Sequence, residues 1–138
     1  MSRDNQGLDV QNRMMKWFRG NVHPIPAVDF ATKTTFYEVK SCNLFNKCHN
    51  ANSKRKFRTK PHKNIISHQF GRFQIRSDNH FDLKNLADKY NKLAKYIFVV
   101  VIGRQLAWKV WTWDAVDVVL RRKKSDYIRV EEIFGNGT

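Results

Sequence analysis

The chain has 138 residues, which suits one hydrophobic core and is too short for two ordinary ones, so we expect a single domain over 1–138. Its 26 lysines and arginines outnumber its 12 aspartates and glutamates, and the net charge of +14 predicts attraction to polyanions, nucleic acid above all. No run approaches the roughly 18 apolar residues of a membrane span, and the polar start has no signal region, so we expect no membrane partner and a cytoplasmic, intracellular location.

The first part of the chain predicts one helix followed by a β-hairpin. Apolar residues at helical spacing predict a helix over Leu8–Phe18, and the polar Gln11 falls inside its apolar sector. The period then changes to two, which predicts strands at Ala27–Ala31 and Thr35–Lys40 joined by a short polar turn.

A polar, basic loop follows over 43–63. We expect its central cations to contact phosphates, which gives affinity without reading a base sequence. These cations are Lys54, Arg55, Lys56, Arg58, Lys60 and Lys63. Arg72 and Gln74, in the next short strand, are further candidates for phosphate contacts, although ordinary edge-strand residues would show the same pattern.

The second half of the chain predicts alternating strands and helices. The predicted elements are a strand at Gly71–Ile75, a helix at His80–Ala94 capped by Asn79, a strand buried on both faces at Ile97–Ile102, a strand at Ala107–Trp113, a helix at Asp114–Leu120 and an edge element at Tyr127–Ile133. This order predicts an α/β layered domain. We expect Trp108, Trp111 and Trp113 to lie in the core or at a dimer surface rather than to stack on bases.

The cysteines and two of the histidines allow a zinc site as an alternative. Cys42, Cys48, His62 and His68 follow one another with five, thirteen and five residues between them. This order loosely resembles a two-cysteine, two-histidine zinc finger, although the short gaps are as wide as or wider than such fingers favour. A half-buried strand cysteine with three loop residues would give the same pattern.

The predicted hairpin carries an unusual set of charged residues. Strand alternation places Glu38 and Lys40 on one face, and Asp29 lies one short turn away on the preceding strand. Two partly buried carboxylates repel each other unless a cation lies between them, and oxygen ligands of this kind select Mg²⁺ or Mn²⁺. A nearby lysine can neutralise charge on a phosphate in the transition state. The set therefore predicts a hydrolytic centre for phosphodiesters.

These residues resemble the PD-(D/E)XK nuclease superfamily, the fold of restriction endonucleases and archaeal Holliday-junction resolvases. The resemblance consists of Pro26, Asp29 and, after eight further residues, Glu38-Val39-Lys40 in a hairpin that follows an N-terminal helix. It implies a restriction-endonuclease-like αβββαβ core, with a central mixed sheet flanked by helices, and a metal-dependent DNA endonuclease.

The resemblance also implies roles for individual residues. Asp29, Glu38 and the backbone carbonyl of Val39 would hold Mg²⁺, for which Mn²⁺ can substitute, and Lys40 would be the catalytic lysine. Gln11 takes the helix position where many members carry a glutamate facing the metal. Because one such site cuts one strand, cleavage of both strands predicts a homodimer, with its surface around Trp108 to Trp113.

Two other functions fit parts of the same pattern. If the hairpin residues form exposed ion pairs, the chain is a non-catalytic, basic nucleic-acid-binding protein. If the cysteines and histidines bind zinc, it is a zinc-stabilised adaptor. Metal dependence separates the three possibilities, but the sequence does not select a DNA substrate within the nuclease interpretation.

Overall fold

The computed structural model describes residues 3–23, 27–43, 71–102 and 104–135. In these ranges the chain forms helices α1 (Arg3–Trp17), α2 (Ser77–Lys89), α3 (Trp113–Lys123) and α4 (Val130–Phe134), and strands β1 (Asn21–Val22), β2 (Phe30–Ala31), β3 (Thr35–Asn43), β4 (Arg72–Gln74), β5 (Leu93–Ile102), β6 (Gln105–Thr112) and β7 (Tyr127–Arg129). The central cations of the predicted basic loop lie outside the described residues, as do Pro26, Cys48, His62 and His68.

The described strands form a mixed five-stranded sheet and a separate two-stranded ribbon. In the large sheet the order is β1-β2-β3-β5-β6, and β1, β2 and β3 are antiparallel neighbours. Strand β5 pairs parallel to β3 from Leu93 opposite Thr35 to Val101 opposite Asn43, and β6 is antiparallel to β5. The ribbon consists of β4 and β7 in antiparallel pairing. The predicted α/β layered class and the hairpin are therefore confirmed.

Helices pack on both faces of the large sheet. On one face, Val10 and Met14 of α1 are buried against Tyr37, Ile97 and Val99 of the central strands. The opposite face is covered by α2, α3 and the ribbon through a second buried cluster that includes Phe36, Leu83, Tyr96, Phe98, Val116 and Ile128. Strand β5 contributes to both clusters, which explains why its sequence has no alternation of apolar and polar residues.

The predicted helix at His80–Ala94 is wrong at both ends. It begins at Ser77, so the predicted cap Asn79 lies within its first turn, and Arg76 occupies the N-cap position. It ends at Lys89, because Asn91 adopts the left-handed conformation with φ of 57° and turns the chain into β5. Leu93 and Ala94, assigned to the helix by their spacing, instead begin this strand.

The predictions for the C-terminal part also need correction. Trp113 is the first residue of α3, because the hydroxyl of Thr112 accepts a hydrogen bond from Ala115 N–H at 3.2 Å and begins the helix there. Trp113 therefore does not share a strand face with Trp111. The predicted edge element at Tyr127–Ile133 is in fact β7 followed by α4, and β7 pairs with β4 rather than with the large sheet. None of the described helices is long and apolar enough to cross a membrane.

Candidate active site

Asp29 is fixed against β3 by two hydrogen bonds. Its backbone N–H donates to the carbonyl of Tyr37 at 2.9 Å, and its side-chain Oδ2 accepts from the backbone N–H of Val39 at 2.7 Å. The second bond ties the carboxylate to the residue between Glu38 and Lys40. The hairpin therefore brings Asp29 to Glu38, as the sequence predicted.

Glu38 and Lys40 lie on the same face of β3 and form an ion pair. Lys40 Nζ lies 3.2 Å from Glu38 Oε2, and the side chains are only 21% and 13% exposed, respectively. Burial on this scale distinguishes the pair from a solvent-exposed ion pair of little energetic value. Parallel pairing sets Glu38 beside Tyr96 of β5, whose side chain is buried on the same face.

The two carboxyl groups oppose each other's ionisation. Burial, and next the negative charge of Asp29, raise the pKa of Glu38 to about 8, while Lys40 acts in the opposite direction. Burial also raises the pKa of Asp29, against the hydrogen bond from Val39. Keeping both groups ionised near neutral pH therefore requires more positive charge than Lys40 provides.

The carboxyl groups of Asp29 and Glu38 are close enough to share a hydrogen bond, but no other described residue donates to one of the two Glu38 oxygens. Glu38 Oε1 is buried and accepts no hydrogen bond from the described residues, whereas Oε2 of the same carboxylate faces Lys40. A protonated Glu38 can donate to Asp29, but when both carboxyl groups are ionised this oxygen lacks a donor, and a divalent cation between Asp29 and Glu38 would compensate the two charges. Oxygen ligands of this type suit Mg²⁺ or Mn²⁺. The residues present therefore fit the metal that the sequence predicts.

The set of side chains at this position is small. No group of three or more His, Cys, Asp or Glu side chains suited to a metal occurs in the described ranges. The backbone carbonyl of Val39, between Glu38 and Lys40 on β3, is a candidate for a third oxygen from the protein. Mg²⁺ typically binds few protein ligands, because it keeps several of its waters.

Gln11 contacts the hairpin through the backbone of Asp29. Its side-chain Nε2 donates to the carbonyl of Asp29 at 3.3 Å, and the residue is half-buried. This contact explains the single polar residue in the apolar sector of α1, since it joins the helix to the loop that carries Asp29. Gln11 adds a neutral donor to this neighbourhood rather than a carboxylate.

Arg72 and Gln74 are exposed residues of the β4–β7 ribbon. The backbone N–H of Arg72 donates to the sulfur of Cys42 on β3, and its guanidinium lies 4.3 Å from the centre of the Tyr127 ring. Burial raises the pKa of Cys42 to about 12, so the thiol is neutral in this environment. The backbone of Arg72 therefore lies next to Cys42 of β3, two residues beyond Lys40 along the strand.

A buried polar network behind Glu38 was not predicted. His80 Nδ1 lies 2.7 Å from the hydroxyl of Tyr96, and His80 Nε2 lies 3.0 Å from Oδ1 of Asp117. Arg121 extends the network to the surface, with its Nε 2.8 Å from Oδ2 of Asp117. One feature of the sequence could have predicted the burial of His80, because His80 lies on the same helix face as the apolar Leu83.

No protein-family model, curated protein or solved structure matches this chain. Function is therefore inferred from the residues and their geometry. The arrangement offers two adjacent carboxylates that need a cation, together with a lysine held beside one of them. Chemically, such a group can bind a divalent metal and stabilise negative charge on a phosphate.

Proposed function

We propose that this protein is a metal-dependent DNA endonuclease of the restriction-endonuclease or Holliday-junction-resolvase type. The observation that carries the proposal is the buried pair of Asp29 and Glu38, whose carboxyl groups oppose each other's ionisation while Lys40 lies 3.2 Å from Glu38 Oε2. A structural ion pair would not require the second carboxylate. A metal site for phosphodiester hydrolysis requires all three groups.

The order of elements supports a PD-(D/E)XK-like core. Helix α1 precedes the antiparallel strands β1, β2 and β3, and α2 then leads to β5, which is parallel to β3. This order resembles the αβββαβ core that the sequence resemblance implies, with Asp29 directly before β2 and with Glu38 and Lys40 on β3. The ribbon and the elements after β5 would be additions to that core.

The protein side chains would have separate roles in the reaction. Asp29, Glu38 and the carbonyl of Val39 would hold Mg²⁺, or Mn²⁺ in its place. The bound ion would supply positive charge at the phosphodiester, which favours attack by water. Lys40, held by Glu38, would stabilise the charge that develops on the phosphate oxygens, and the contact of Gln11 would keep the Asp29 loop in position.

Charge supports DNA as the substrate. A net charge of +14 on a chain of this size attracts a polyanion without any sequence preference. The cations of 43–63 would add contacts to phosphates beside the site. Since one site cuts one strand, we also propose that the chain acts as a homodimer on a duplex or junction.

The test is a cleavage assay on duplex, branched and single-stranded DNA with Mg²⁺, Mn²⁺ or EDTA. Wild type should cut at least one substrate only with metal, and Glu38→Gln or Lys40→Ala should reduce the rate by at least about a hundredfold, because each removes charge stabilisation of the transition state. DNA binding should persist in both variants. Asp9→Asn and Lys33→Ala serve as matched controls, since both residues are exposed.

The outcomes separate the alternative functions. Equal cleavage by wild type and both site variants would contradict the assignment of the site. Binding without any metal-dependent cleavage would favour a non-catalytic nucleic-acid-binding protein. Stoichiometric zinc in the purified protein, lost on replacing Cys42 and Cys48, would favour a zinc-stabilised adaptor.

A further inference from the structure

The β4–β7 ribbon exposes a polar face whose residues come from two distant parts of the chain. In the antiparallel register, Arg72 pairs with Arg129, and Gln74 pairs with Tyr127. The central pair of Phe73 and Ile128 points the other way and is fully buried in the core. Because directly paired residues lie on the same side, the four polar residues form one surface. We call it the ribbon face.

The two arginines of this face repel each other. Cβ atoms of directly opposed residues lie about 5 Å apart, and like charges in this position are unfavourable. Arg72 forms no ion pair with the described residues and lies over the ring of Tyr127. Arg129 has a long contact of 3.8 Å to the carboxylate of Glu131 and also attracts the carboxylate of Glu132, and its own side chain is 53% exposed. An anion on the ribbon face would relieve this repulsion.

The ribbon face lies next to the candidate active site. Arg72 N–H donates to the sulfur of Cys42, which shares a face of β3 with Glu38 and Lys40 because alternate strand residues point the same way. At about 3.3 Å per residue, Cys42 lies roughly 7 Å from Lys40 and roughly 13 Å from Glu38 along the strand. A polyanion that extends from the site along β3 toward Cys42 would meet the ribbon that carries Arg72.

We propose that the ribbon face is a phosphate-contact surface for DNA, in which Arg72 and Arg129 clamp the backbone of the strand held by the candidate active site. Guanidinium groups bind phosphate oxygens through two parallel hydrogen bonds, and the ring of Tyr127 holds Arg72 in place for this. These contacts would fall on the side of the site toward Cys42, beyond the bond that is cut. The inference rests on the proposed DNA partner but does not require cleavage.

The test measures the salt dependence of binding in EDTA, which removes catalysis from the experiment. Affinity for a labelled DNA duplex is measured at several NaCl concentrations for wild type and for Arg72→Ala/Arg129→Ala. The double variant should bind more weakly, and the slope of log affinity against log salt should be shallower by roughly 1.4 to 1.8, the value for two lost phosphate contacts.

The control is Arg13→Ala/Arg19→Ala, which removes the same charge. Arg13 lies on α1 and Arg19 follows it, and α1 packs on the other face of the large sheet from the ribbon. This variant should keep the wild-type slope. Equal slopes for the ribbon variant and wild type, or equal losses in both double variants, would overturn the proposal.

Two further results keep the test independent of folding and of the proposed nuclease activity. The single variant Arg129→Gln keeps the backbone N–H that donates to Glu132 and removes a half-exposed charge, so it should fold normally and flatten the slope by roughly 0.7 to 0.9. An unchanged slope in this folded variant would contradict the clamp. Both ribbon variants can show a shallower slope of log affinity against log salt while wild type shows no metal-dependent cleavage. That result would support the ribbon face as a DNA-binding surface and contradict the nuclease assignment.

Discussion

When it is ionised, Glu38 would carry a charge that the described residues compensate only in part. Its carboxylate is buried beside that of Asp29, and Lys40 contacts one of its two oxygens. Because the fold raises the pKa of Glu38 to about 8, ionising this group costs the folded protein free energy. One pKa unit corresponds to about 1.4 kcal/mol, so the cost is on the order of a few kcal/mol.

This cost predicts that Glu38→Gln stabilises the metal-free protein. Above a pH of about 8, where Glu38 is ionised in the folded state, the variant should melt at least about 3 °C higher than wild type in EDTA, because it lacks the repulsion with Asp29. Mg²⁺ should raise the melting temperature of wild type and leave that of the variant nearly unchanged. Differential scanning calorimetry with and without metal measures both effects.

A lower melting temperature for Glu38→Gln in EDTA would mean that Glu38 is a structural partner of Lys40. The matched control is Asp9→Asn, which alters an exposed ion pair with Arg13 on α1 and should change the melting temperature little. It should also leave the response to Mg²⁺ as in wild type.

The meeting of Asp29, Glu38 and Lys40 could be predicted from sequence because it depends on local rules. Strand alternation places Glu38 and Lys40 together, and a short turn returns Asp29 to the same position. The burial of Glu38 Oε1 could not be predicted, because it depends on Tyr96 and other residues far along the chain. The local sequence pattern predicts which residues form the site, whereas tertiary packing determines their burial and pKa values.

The buried network around His80 joins helices α2 and α3 to strand β5. The ring stacks on Trp113 with centroids 4.2 Å apart, and the indole N–H of Trp113 donates to the carbonyl of His80 at 2.7 Å. The carboxylate of Asp117 can only accept, so the neutral ring carries its proton on Nε2 and accepts from the Tyr96 hydroxyl on Nδ1. The network holds β5, and with it Tyr96 beside Glu38, between the two helices.

The network predicts a loss of stability in acid. Burial lowers the pKa of His80 below its ordinary value of 6.5, so between these two values the unfolded chain binds a proton that the folded protein does not. The contribution of His80 to stability is therefore complete above about pH 6.5 and falls as the pH drops toward the folded-state pKa, by at most about 1.4 kcal/mol per pH unit. His80→Gln keeps a polar side chain without this titration.

Urea unfolding of both proteins between pH 7 and pH 5 measures the difference. His80→Gln should be less stable than wild type at pH 7, because the hydrogen bonds to Tyr96 and Asp117 are disturbed, but its stability should fall less steeply with acid. Other acids and histidines contribute equally to both proteins and cancel. Parallel curves over this range would show that His80 does not titrate with folding.

Helices and strands could be predicted from the sequence where their pattern of apolar residues is long. The apolar run of β5 could be assigned without a structure, since a strand buried on both faces has a distinctive sequence. The end of α2 could not, because Leu93 continues the helical spacing while Asn91 turns the chain. The pairing of β4 with β7 joins segments more than fifty residues apart, and no local rule predicts such a contact.

At the scale of the whole molecule, the number of candidate sites in one chain decides how many chains the proposed cleavage of two strands would need. The chain contains one set of Asp29, Glu38 and Lys40, so under the proposed function a single copy would cut one strand. Trp113 is only 7% exposed and cannot contribute to the dimer surface expected around it. Trp108 is half-buried against Trp17, which is itself 70% exposed, so aromatic surface remains on this side of the sheet.

A heterodimer of active and inactive chains tests the proposed assembly directly. Wild type and Glu38→Gln are co-expressed with two different affinity tags and purified in tandem, so that only complexes containing both chains are recovered. On the duplex or branched substrate that wild type cuts best, the heterodimer should nick one strand and make few double-strand cuts, because it has one working site. A doubly tagged wild-type dimer is the control and should cut both strands. Failure to recover any doubly tagged complex, or equal ratios of nicked to fully cut product from the two dimers, would contradict the model in which each chain of a dimer cuts one strand.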